Sequence, residues 1–557
     1  MSGPATYVSP SFDLPIDLDL SKNEGRSEAA DLLSLIDDPP RVISRYPDTS
    51  ALRARLAELH GLQVDSVLVT AGGDDALGRC FMARVGEGRT VISTRPTFEM
   101  ISRYAEQRGA SLVEIDWWGE AFPVAEVISS ITEDTDAVFI VSPNNPTGNA
   151  ASEADIRKVA AEAPFVVLDA AYVEFADSDP TSGALEMGNV VVTRTMSKAY
   201  GLAGLRLGYL LGPPHLVSAI ARYGNPYPVA ALSAALGEMR LGRPVSELNG
   251  FVETVRRERV ELTRFLDDLG AAPLPSQANF VLASHDEPDW VVSASAAMGI
   301  GLRRFPGRDG LERSIRITVP GDDDDFDRLL GVLGAVLAPE ALVFDLDGVL
   351  ADVSRSQIVA IIETARSFGV EVTGADIEAV KAEGMANDDW EITRRLCADR
   401  GVDAPIDEVV EQFETIYQGT GSITGLKHRE ASLVDLDLWR TWQERFPVAV
   451  VTGRPRSDAE EFLGRSGLIE GISALVTRED GPLKPDPAPV RRALETLGVG
   501  RAWMLGDTPD DLAAARAAGA IPIGVIAPGD DPARARARLW RAARILDKTT
   551  DLEGLLP

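Results

Sequence analysis

Short uninterrupted apolar runs alternate along this chain with segments whose apolar positions recur every three or four residues. Runs of the first kind are Val67–Thr70, Thr90–Ser93, Ala137–Ser142, Phe165–Asp169 and Val190–Thr195; segments of the second kind are Ser50–His60, Asp75–Val85 and Ser152–Ala161. A short continuous apolar run predicts a strand buried on both faces, and the longer periodic segments predict helices. Their alternation predicts a parallel sheet covered by helices. Ligands bind such sheets beyond the carboxyl ends of the strands, so the polar residues after each run are the ones to examine.

The pattern changes past residue 320. An acidic run, Asp322–Asp325, leads into a helical segment ending at Leu337, and Ala338-Pro339-Glu340 then leads directly into an apolar strand, Ala341-Leu342-Val343-Phe344. The predicted domains are therefore 1–338 and 339–557. In the second, the chain reads as mostly helical from Arg355 to about His428. Strand–helix alternation resumes at Val448–Thr452, Ala474–Thr477, Ala502–Leu505 and Ile521–Val525. A helical insertion after the first strand of an α/β core predicts a cap at about 354–430.

Composition narrows the partners. At 557 residues the chain has length for roughly four units of ~150 residues, and 45% hydrophobic with 25% charged residues is ordinary for a globular protein. Its formal net charge is −31, a field that repels nucleic acid and anionic membranes, and neither is expected as a partner. Cys80 and Cys397 are far apart and His60, His215, His285 and His428 are scattered. That predicts neither a disulfide framework nor a histidine-built metal site. No basic-then-apolar opening and no run of membrane-spanning length occur, so a cytoplasmic location is expected. Lysine is scarce, with only seven in the chain, which makes a lysine inside a motif informative.

Several segments of the first domain place chemistry after a strand. Ala71-Gly72-Gly73-Asp74-Asp75 opens a helix whose amides suit a phosphate, although alone it fits an ordinary glycine turn. Ser142-Pro143-Asn144-Asn145-Pro146-Thr147-Gly148 sets an amide in a rigid turn, which fits a purely structural turn equally well. Val166-Val167-Leu168-Asp169-Ala170-Ala171-Tyr172 ends a buried strand on an acid, where a cationic ring nitrogen is a natural partner. Thr195-Met196-Ser197-Lys198, followed by Gly204-Leu205-Arg206, supplies an amine, two hydroxyls and a guanidinium; Lys198 alone fits a solvated surface lysine.

Together these segments resemble the fold-type I pyridoxal-phosphate aminotransferases, most closely the histidinol-phosphate aminotransferase family, over roughly Leu18 to Leu337. Asn23-Glu24, Arg45-Tyr46-Pro47-Asp48, Pro96-Thr97-Phe98, Pro275-Ser276-Gln277-Ala278-Asn279-Phe280 and Arg316-Ile317-Thr318-Val319 extend the match. The resemblance implies a large sheet domain with a small domain, pyridoxal 5'-phosphate as cofactor, and a homodimer. Lys198 would be the Schiff-base lysine and proton shuttle, and Asp169 the partner of the pyridinium nitrogen. Asn145 and Tyr172 would bond the phenolic oxygen, and Phe98 would stack on the ring. Gly73, Asp74, Thr195, Ser197 and Arg206 would hold the cofactor phosphate, with Tyr46 reaching the neighbouring subunit's phosphate. Arg303 and Arg316 match the substrate arginines, with Asn23 beside them, while Arg304 reads as a surface residue. The chain departs from the family at Phe98 (usually tyrosine), Ala170 (commonly an acid), Gly25 (asparagine expected) and Asp75 (commonly glutamate). Threonine-phosphate decarboxylases fit the same motifs.

The second domain opens with Val343-Phe344-Asp345-Leu346-Asp347-Gly348-Val349, two carboxylates spaced so that both leave one face of a strand end. One can attack phosphorus while the other moves a proton. Val450-Val451-Thr452-Gly453-Arg454 offers a hydroxyl, Leu483-Lys484-Pro485-Asp486 a cation, and Gly506-Asp507-Thr508-Pro509-Asp510-Asp511 oxygen ligands for a hard ion; Asp-rich turns after strands are also common without one. In this order the segments resemble the haloacid dehalogenase superfamily, subfamily I, which implies a Rossmann-like core with a helical cap and Mg²⁺. Asp345 would form an aspartyl-phosphate and ligate Mg²⁺, and Asp347 would be the general acid/base, its backbone carbonyl also on the metal. Thr452 and Lys484 would stabilise the transferring phosphoryl group, and Asp507 and Asp511 would complete the metal site. The second acid favours a phosphatase over a dehalogenase. Gly384-Met385-Ala386-Asn387-Asp388-Asp389-Trp390 is a candidate for substrate choice in the cap; packing explains Trp390 equally well.

A transaminase for a phosphate ester joined to a phosphate-ester hydrolase implies consecutive steps. The expected substrates are a small phosphorylated amine, histidinol phosphate, and glutamate/2-oxoglutarate. The alternative keeps both folds with another phosphorylated amine, such as threonine phosphate.

Overall fold

Seven strands build the larger sheet of the protein: β1 (Val67–Thr70), β2 (Thr90–Arg95), β3 (Ser111–Asp116), β4 (Thr135–Val141), β5 (Val166–Asp169), β6 (Val190–Thr195) and β7 (Gly208–Leu211). They lie in the order β1-β7-β6-β5-β4-β2-β3. In this computed structural model, residues 10–26, 29–34, 36, 39–384 and 388–557 are described. The sheet is not purely parallel. β7 runs antiparallel to both β1 and β6, while the other pairings are parallel. Hydrophobic periodicity carries no strand direction, so this reversal was invisible in the sequence.

The central strands are largely apolar because both faces are covered. Val138, Ile140, Val166, Leu168, Val190 and Val192 enter one core, and their neighbours Phe139, Val141, Val167 and Val191 enter the other. Helix α1 (Gly73–Arg84) follows β1 and begins at Gly72, whose φ of +85° is open to glycine. A second, antiparallel sheet has the order β10-β11-β9-β8, with β8 at Ala272–Pro273, β9 at Phe280–Ser284, β10 at Arg303–Arg304 and β11 at Ser314–Thr318. The long helix α2 (Val245–Asp268) precedes it.

The chain divides into two compact units. Asp19–Pro288 and Leu302–Arg328 form most of one; Phe12–Leu18, Asp289–Gly301 and Leu329–Pro557 form the other, whose long run begins inside helix α3 (Asp323–Leu337). The second unit has a six-stranded sheet, all parallel, in the order β14-β13-β12-β15-β16-β17. Its strands are β12 (Ala341–Phe344), β13 (Val448–Val451), β14 (Ile472–Val476), β15 (Ala502–Gly506), β16 (Ile521–Val525) and β17 (Arg544–Leu546). One face packs Val343, Val451 and Met504; on the other, Phe344 stacks on Trp442 with ring centroids 5.5 Å apart.

Between β12 and β13 the chain inserts four helices, α4 (Gln357–Ser367), α5 (Gly374–Ala382), α6 (Asp389–Ala398) and α7 (Ile406–Gln418), around a core of their own that includes Ile361, Ile392 and Phe413. A two-stranded ribbon, Ala351–Asp352 against Ala431–Ser432, closes the base of the insert. Residues 385–387 of the candidate segment in the insert lie outside the described residues. Among the described residues, no helix is long and apolar enough to cross a membrane.

Candidate active sites

In the first unit, a cavity of about 490 Å³ lies beyond the carboxyl ends of the central strands. β5 ends on Asp169, in register with Val141 of β4 and Thr193 of β6. The position puts a carboxylate, 6% exposed, at the cavity wall. Its Oδ1 accepts a hydrogen bond from Thr193 Oγ1 at 3.0 Å. Burial pushes its proton affinity up to about 7, and the Thr193 hydroxyl opposes that rise. A protonated ring nitrogen is the partner such an acid lacks.

Lys198 follows β6 and donates from Nζ to the carbonyl of Lys22 at 3.2 Å. Burial pushes the amine down to about 8, with the charge of Arg316 adding to the effect. Gly25 explains one departure from the family. A Cβ there would lie 1.8 Å from the Lys198 carbonyl oxygen, so no side chain fits. Tyr172 OH accepts from Asn23 Nδ2 at 3.2 Å, and Asn23 Oδ1 accepts from Thr318 Oγ1 at 2.9 Å. Asn23 holds a left-handed φ of 55° and Arg206 one of 51°.

The helix start is laid out for an anion. Gly73 and Asp74 begin α1, Thr195 Oγ1 donates to Ser197 Oγ at 2.9 Å, and Arg206 pairs with Asp74 at 3.2 Å. Asp75 turns away, gripping Arg79 through two bonds of 2.8 and 2.7 Å. These donors, with Asp169 and Lys198 lining the same cavity, fit a phosphorylated pyridinium aldehyde. Phe98, Asn145 and Arg303 also line the cavity. Arg316 donates from Nη1 to Asn145 Oδ1 at 2.6 Å and from Nη2 to the Ser21 carbonyl at 2.7 Å.

One sequence candidate, Tyr46, sits elsewhere. Tyr46 is 79% exposed and stacks on Tyr227 at 4.5 Å, away from the cavity of its own chain. Arg304 is partly buried and donates to the carbonyls of Glu312 and Ser314, which gives it a structural place. Arg308, not singled out in the sequence, lines the cavity and donates to the Thr97 carbonyl at 3.1 Å. It sits in a turn with no motif around it, and only the fold reveals it.

The second unit gathers its acids at the strand ends. Oxygens of Asp345, Asp507 and Asp511 lie within 4.8 Å of one another, and all three residues are buried. Lys484 Nζ pairs with Asp345 Oδ1 at 2.6 Å and Asp511 Oδ1 at 2.5 Å, and donates to the Val451 carbonyl at 3.2 Å. Lys484 faces these carboxylates from one side, and the charge of Lys381, from the insert, acts on Asp507. Burial and the neighbouring acids push Asp345 well above the ordinary carboxylate range, and burial pushes Asp507 up to about 7. An all-oxygen set of this kind fits a hard divalent cation. Gly348 allows the approach: at φ +76°, a Cβ there would meet Asp507 Oδ2 at 2.7 Å.

The Asp347 side chain lies outside that triad, accepting on Oδ1 from Arg454. Thr452 is buried after β13, its Oγ1 accepting from the Arg454 backbone amide at 3.1 Å. The insert contributes Lys381, Asp389 and Trp390 to a small pocket, about 70 Å³, shared with Asp345 and Asp347. Arg478 lies over the Trp390 ring at 4.4 Å and pairs with Asp388. Lys381 escaped the sequence reading, although the scarcity of lysine was a signal that could have found it.

Comparisons with known proteins give a family for each half of the chain. Residues 21–333 match the model of aminotransferase class I and II, and residues 339–519 match that of haloacid dehalogenase-like hydrolase. The chain is similar to a histidinol-phosphate aminotransferase of Erythrobacter litoralis, 36% identical over 301 residues, 51% of this chain and 80% of that protein. It is also similar to an imidazoleglycerol-phosphate dehydratase of Phytophthora nicotianae, 46% identical over 197 residues, 34% of this chain and 44% of that protein. Among solved structures, a histidinol-phosphate aminotransferase of Sinorhizobium meliloti in complex with pyridoxal-5'-phosphate superposes with a TM-score of 0.53 at 25% identity. That match covers 58% of this chain and 91% of the other.

Proposed function

Because this chain belongs to the class I and II aminotransferases and carries a haloacid dehalogenase-like hydrolase domain behind that half, we propose that it performs two consecutive reactions. The first is reversible amino transfer from glutamate to imidazole-acetol phosphate, giving a phosphorylated amine, L-histidinol phosphate, and 2-oxoglutarate. The second is Mg²⁺-dependent hydrolysis of a phosphate monoester, the same compound, to the free amino alcohol and inorganic phosphate. Residues 1–338 and 339–557 are the two catalytic halves, the cap spanning about 354–430. The observation that carries the first half is the meeting of Lys198, Asp169 and Arg316 in one cavity. The choice of histidinol phosphate is supported by the likeness to a histidinol-phosphate aminotransferase and to an imidazoleglycerol-phosphate dehydratase.

Pyridoxal 5'-phosphate, when bound, supplies a ring that draws electrons from the substrate carbon losing its proton. Asp169 holds the ring nitrogen protonated, and Asn145 and Tyr172 bond the phenolic oxygen. Gly73, Asp74, Thr195, Ser197 and Arg206 would hold the cofactor's phosphate, and Phe98 would stack on its ring. Lys198 Nζ takes the proton from the substrate carbon and returns it to the neighbouring position. Arg316 and Arg303 orient the acidic end of the substrate. The exposed Tyr46 is assigned to the neighbouring subunit's phosphate in a homodimer.

In the second half, a carboxylate oxygen of Asp345 attacks phosphorus and the bond to the alcohol oxygen breaks. Asp347 gives its proton to that leaving oxygen. Asp347 then takes a proton from water, whose oxygen attacks phosphorus, releasing inorganic phosphate and restoring Asp345. Lys484 and Thr452 stabilise the transferring group, and Asp345, Asp507 and Asp511 would hold Mg²⁺, which supplies charge neutralisation there. Joining the halves in one chain raises the local concentration of the intermediate at the second site.

The test incubates the protein with histidinol phosphate and 2-oxoglutarate, following glutamate, and with histidinol phosphate and Mg²⁺ alone, following phosphate. Both products are expected. Turnover of other phosphorylated amines but not of histidinol phosphate in either assay rejects the substrate while keeping the reaction classes.

A further inference from the structure

Arg454 is 4% exposed in the loop after β13, and its guanidinium joins the sheet core to the base of the helical insert. Nε and Nη2 both donate to Oδ1 of Asp347, at 2.7 and 2.5 Å. Nη1 donates to Tyr417 OH at 3.1 Å and to Glu430 Oε2 at 3.0 Å. The other oxygen of Glu430 accepts from Tyr417 OH at 2.9 Å and from Ser356 Oγ at 2.8 Å. Ser356 stands where the chain enters the insert, just before α4, and Glu430 where it leaves, next to the Ala351–Asp352/Ala431–Ser432 ribbon. Tyr417 closes α7. One cation thus ties the chain on both sides of the hinge to a carboxylate at the reacting centre.

Packing alone does not call for such a network. Buried ions pay a desolvation cost, and well-packed apolar side chains hold a hinge as firmly; networks of this kind are best attested where they fix a register or a switch. Here the network terminates on a carboxylate that lines the small pocket. We propose that Arg454 is a positioning residue for Asp347, and that Glu430 and Tyr417 make its position depend on the hinge of the insert. Both bonds from Arg454 fall on Oδ1, which assigns Oδ2 to the proton that passes to the leaving alcohol. This inference rests on the reading in which Asp347 is the proton carrier.

Leaving groups of different basicity test it. p-Nitrophenolate departs with little need of a proton, whereas an alkoxide needs one. With the full chain and Mg²⁺, kcat/KM is measured for p-nitrophenyl phosphate and for 2-glycerol phosphate, in wild type, Asp347→Asn, Arg454→Gln, Arg454→Lys, Tyr417→Phe and Glu430→Gln. Arg454→Gln is expected to lower the alkyl-to-aryl ratio about tenfold or more, with partial recovery in Arg454→Lys. Tyr417→Phe and Glu430→Gln are expected to lower it in the same direction by a smaller factor. Equal losses on both substrates in the Arg454 variants would overturn the proposal. Should Arg454→Gln not fold, Tyr417→Phe, which deletes one hydroxyl, carries the same test. An unchanged ratio in Asp347→Asn overturns the reading beneath; a ratio that moves in Asp347→Asn but not in the other four overturns this inference alone.

Discussion

Arg316 donates to Asn145 Oδ1 across 2.6 Å, so the strand β11 of the small antiparallel sheet and the turn after β4 of the large sheet share one hydrogen bond at the cavity. The residue expected to hold the substrate's acid is thereby also a strut for the amide expected to hold the cofactor ring. Loss of a hydrogen bond to a charged group costs about 1.5–3 kcal/mol. Arg316→Gln should therefore raise KM for glutamate roughly 10- to 100-fold and lower kcat as well. Steady-state kinetics in which KM rises while kcat holds would separate the two roles and refute the strut.

Lys198→Ala should remove glutamate formation and the visible absorbance that borohydride discharges in reconstituted protein, while phosphate release continues. Persistence of a borohydride-sensitive band would assign the covalent link to another amine.

The acidity of Lys198 gives a pH dependence. Its amine keeps the proton below about 8 and loses it above, where an ordinary lysine stays charged to ~10.4. Only the neutral amine attacks an aldehyde. Capture of added pyridoxal phosphate by cofactor-free protein should then quicken about tenfold per pH unit and level off above about 8. A rise that continues towards pH 10 would place Lys198 in an ordinary aqueous setting.

Asp345→Asn should abolish phosphate release by a factor on the order of 10³ or more and leave glutamate formation intact. Chelation of divalent ions should do the same, because the three buried carboxylates of the triad are the oxygens proposed to hold Mg²⁺. Phosphate release that survives Asp345→Asn refutes the aspartyl nucleophile.

The central strands were readable because each is buried on both sides. Val67–Thr70 and Val190–Thr195 fall where the apolar runs placed them. β1, at one edge of the sheet, is still buried and apolar, whereas β3, at the other edge, escaped notice because Ser111, Glu114 and Asp116 are exposed and no apolar run marks it. Side chains next to strand ends, such as Asp169, Lys198, Asp345 and Lys484, stood out through local motifs. Arg308, Tyr417 and Glu430 did not, since their neighbours are remote in sequence and only folding supplies them. Arg454 was quoted within its motif, but nothing local connected it to a glutamate 24 positions earlier.

Asn23 and Arg206 are the two non-glycine residues with positive φ among the described residues, and both line the same cavity. A side chain in that conformation costs roughly 1–2 kcal/mol, so the protein forgoes stability where it gains ligand-binding atoms. Arg206, with about half its side chain in solvent, is where the trade can be reversed. Arg206→Gly should melt at the same temperature as the parent or a few degrees higher, while losing affinity for pyridoxal phosphate. Selection for robustness alone would therefore push this position towards glycine, and the arginine marks a site kept for work at the expense of endurance.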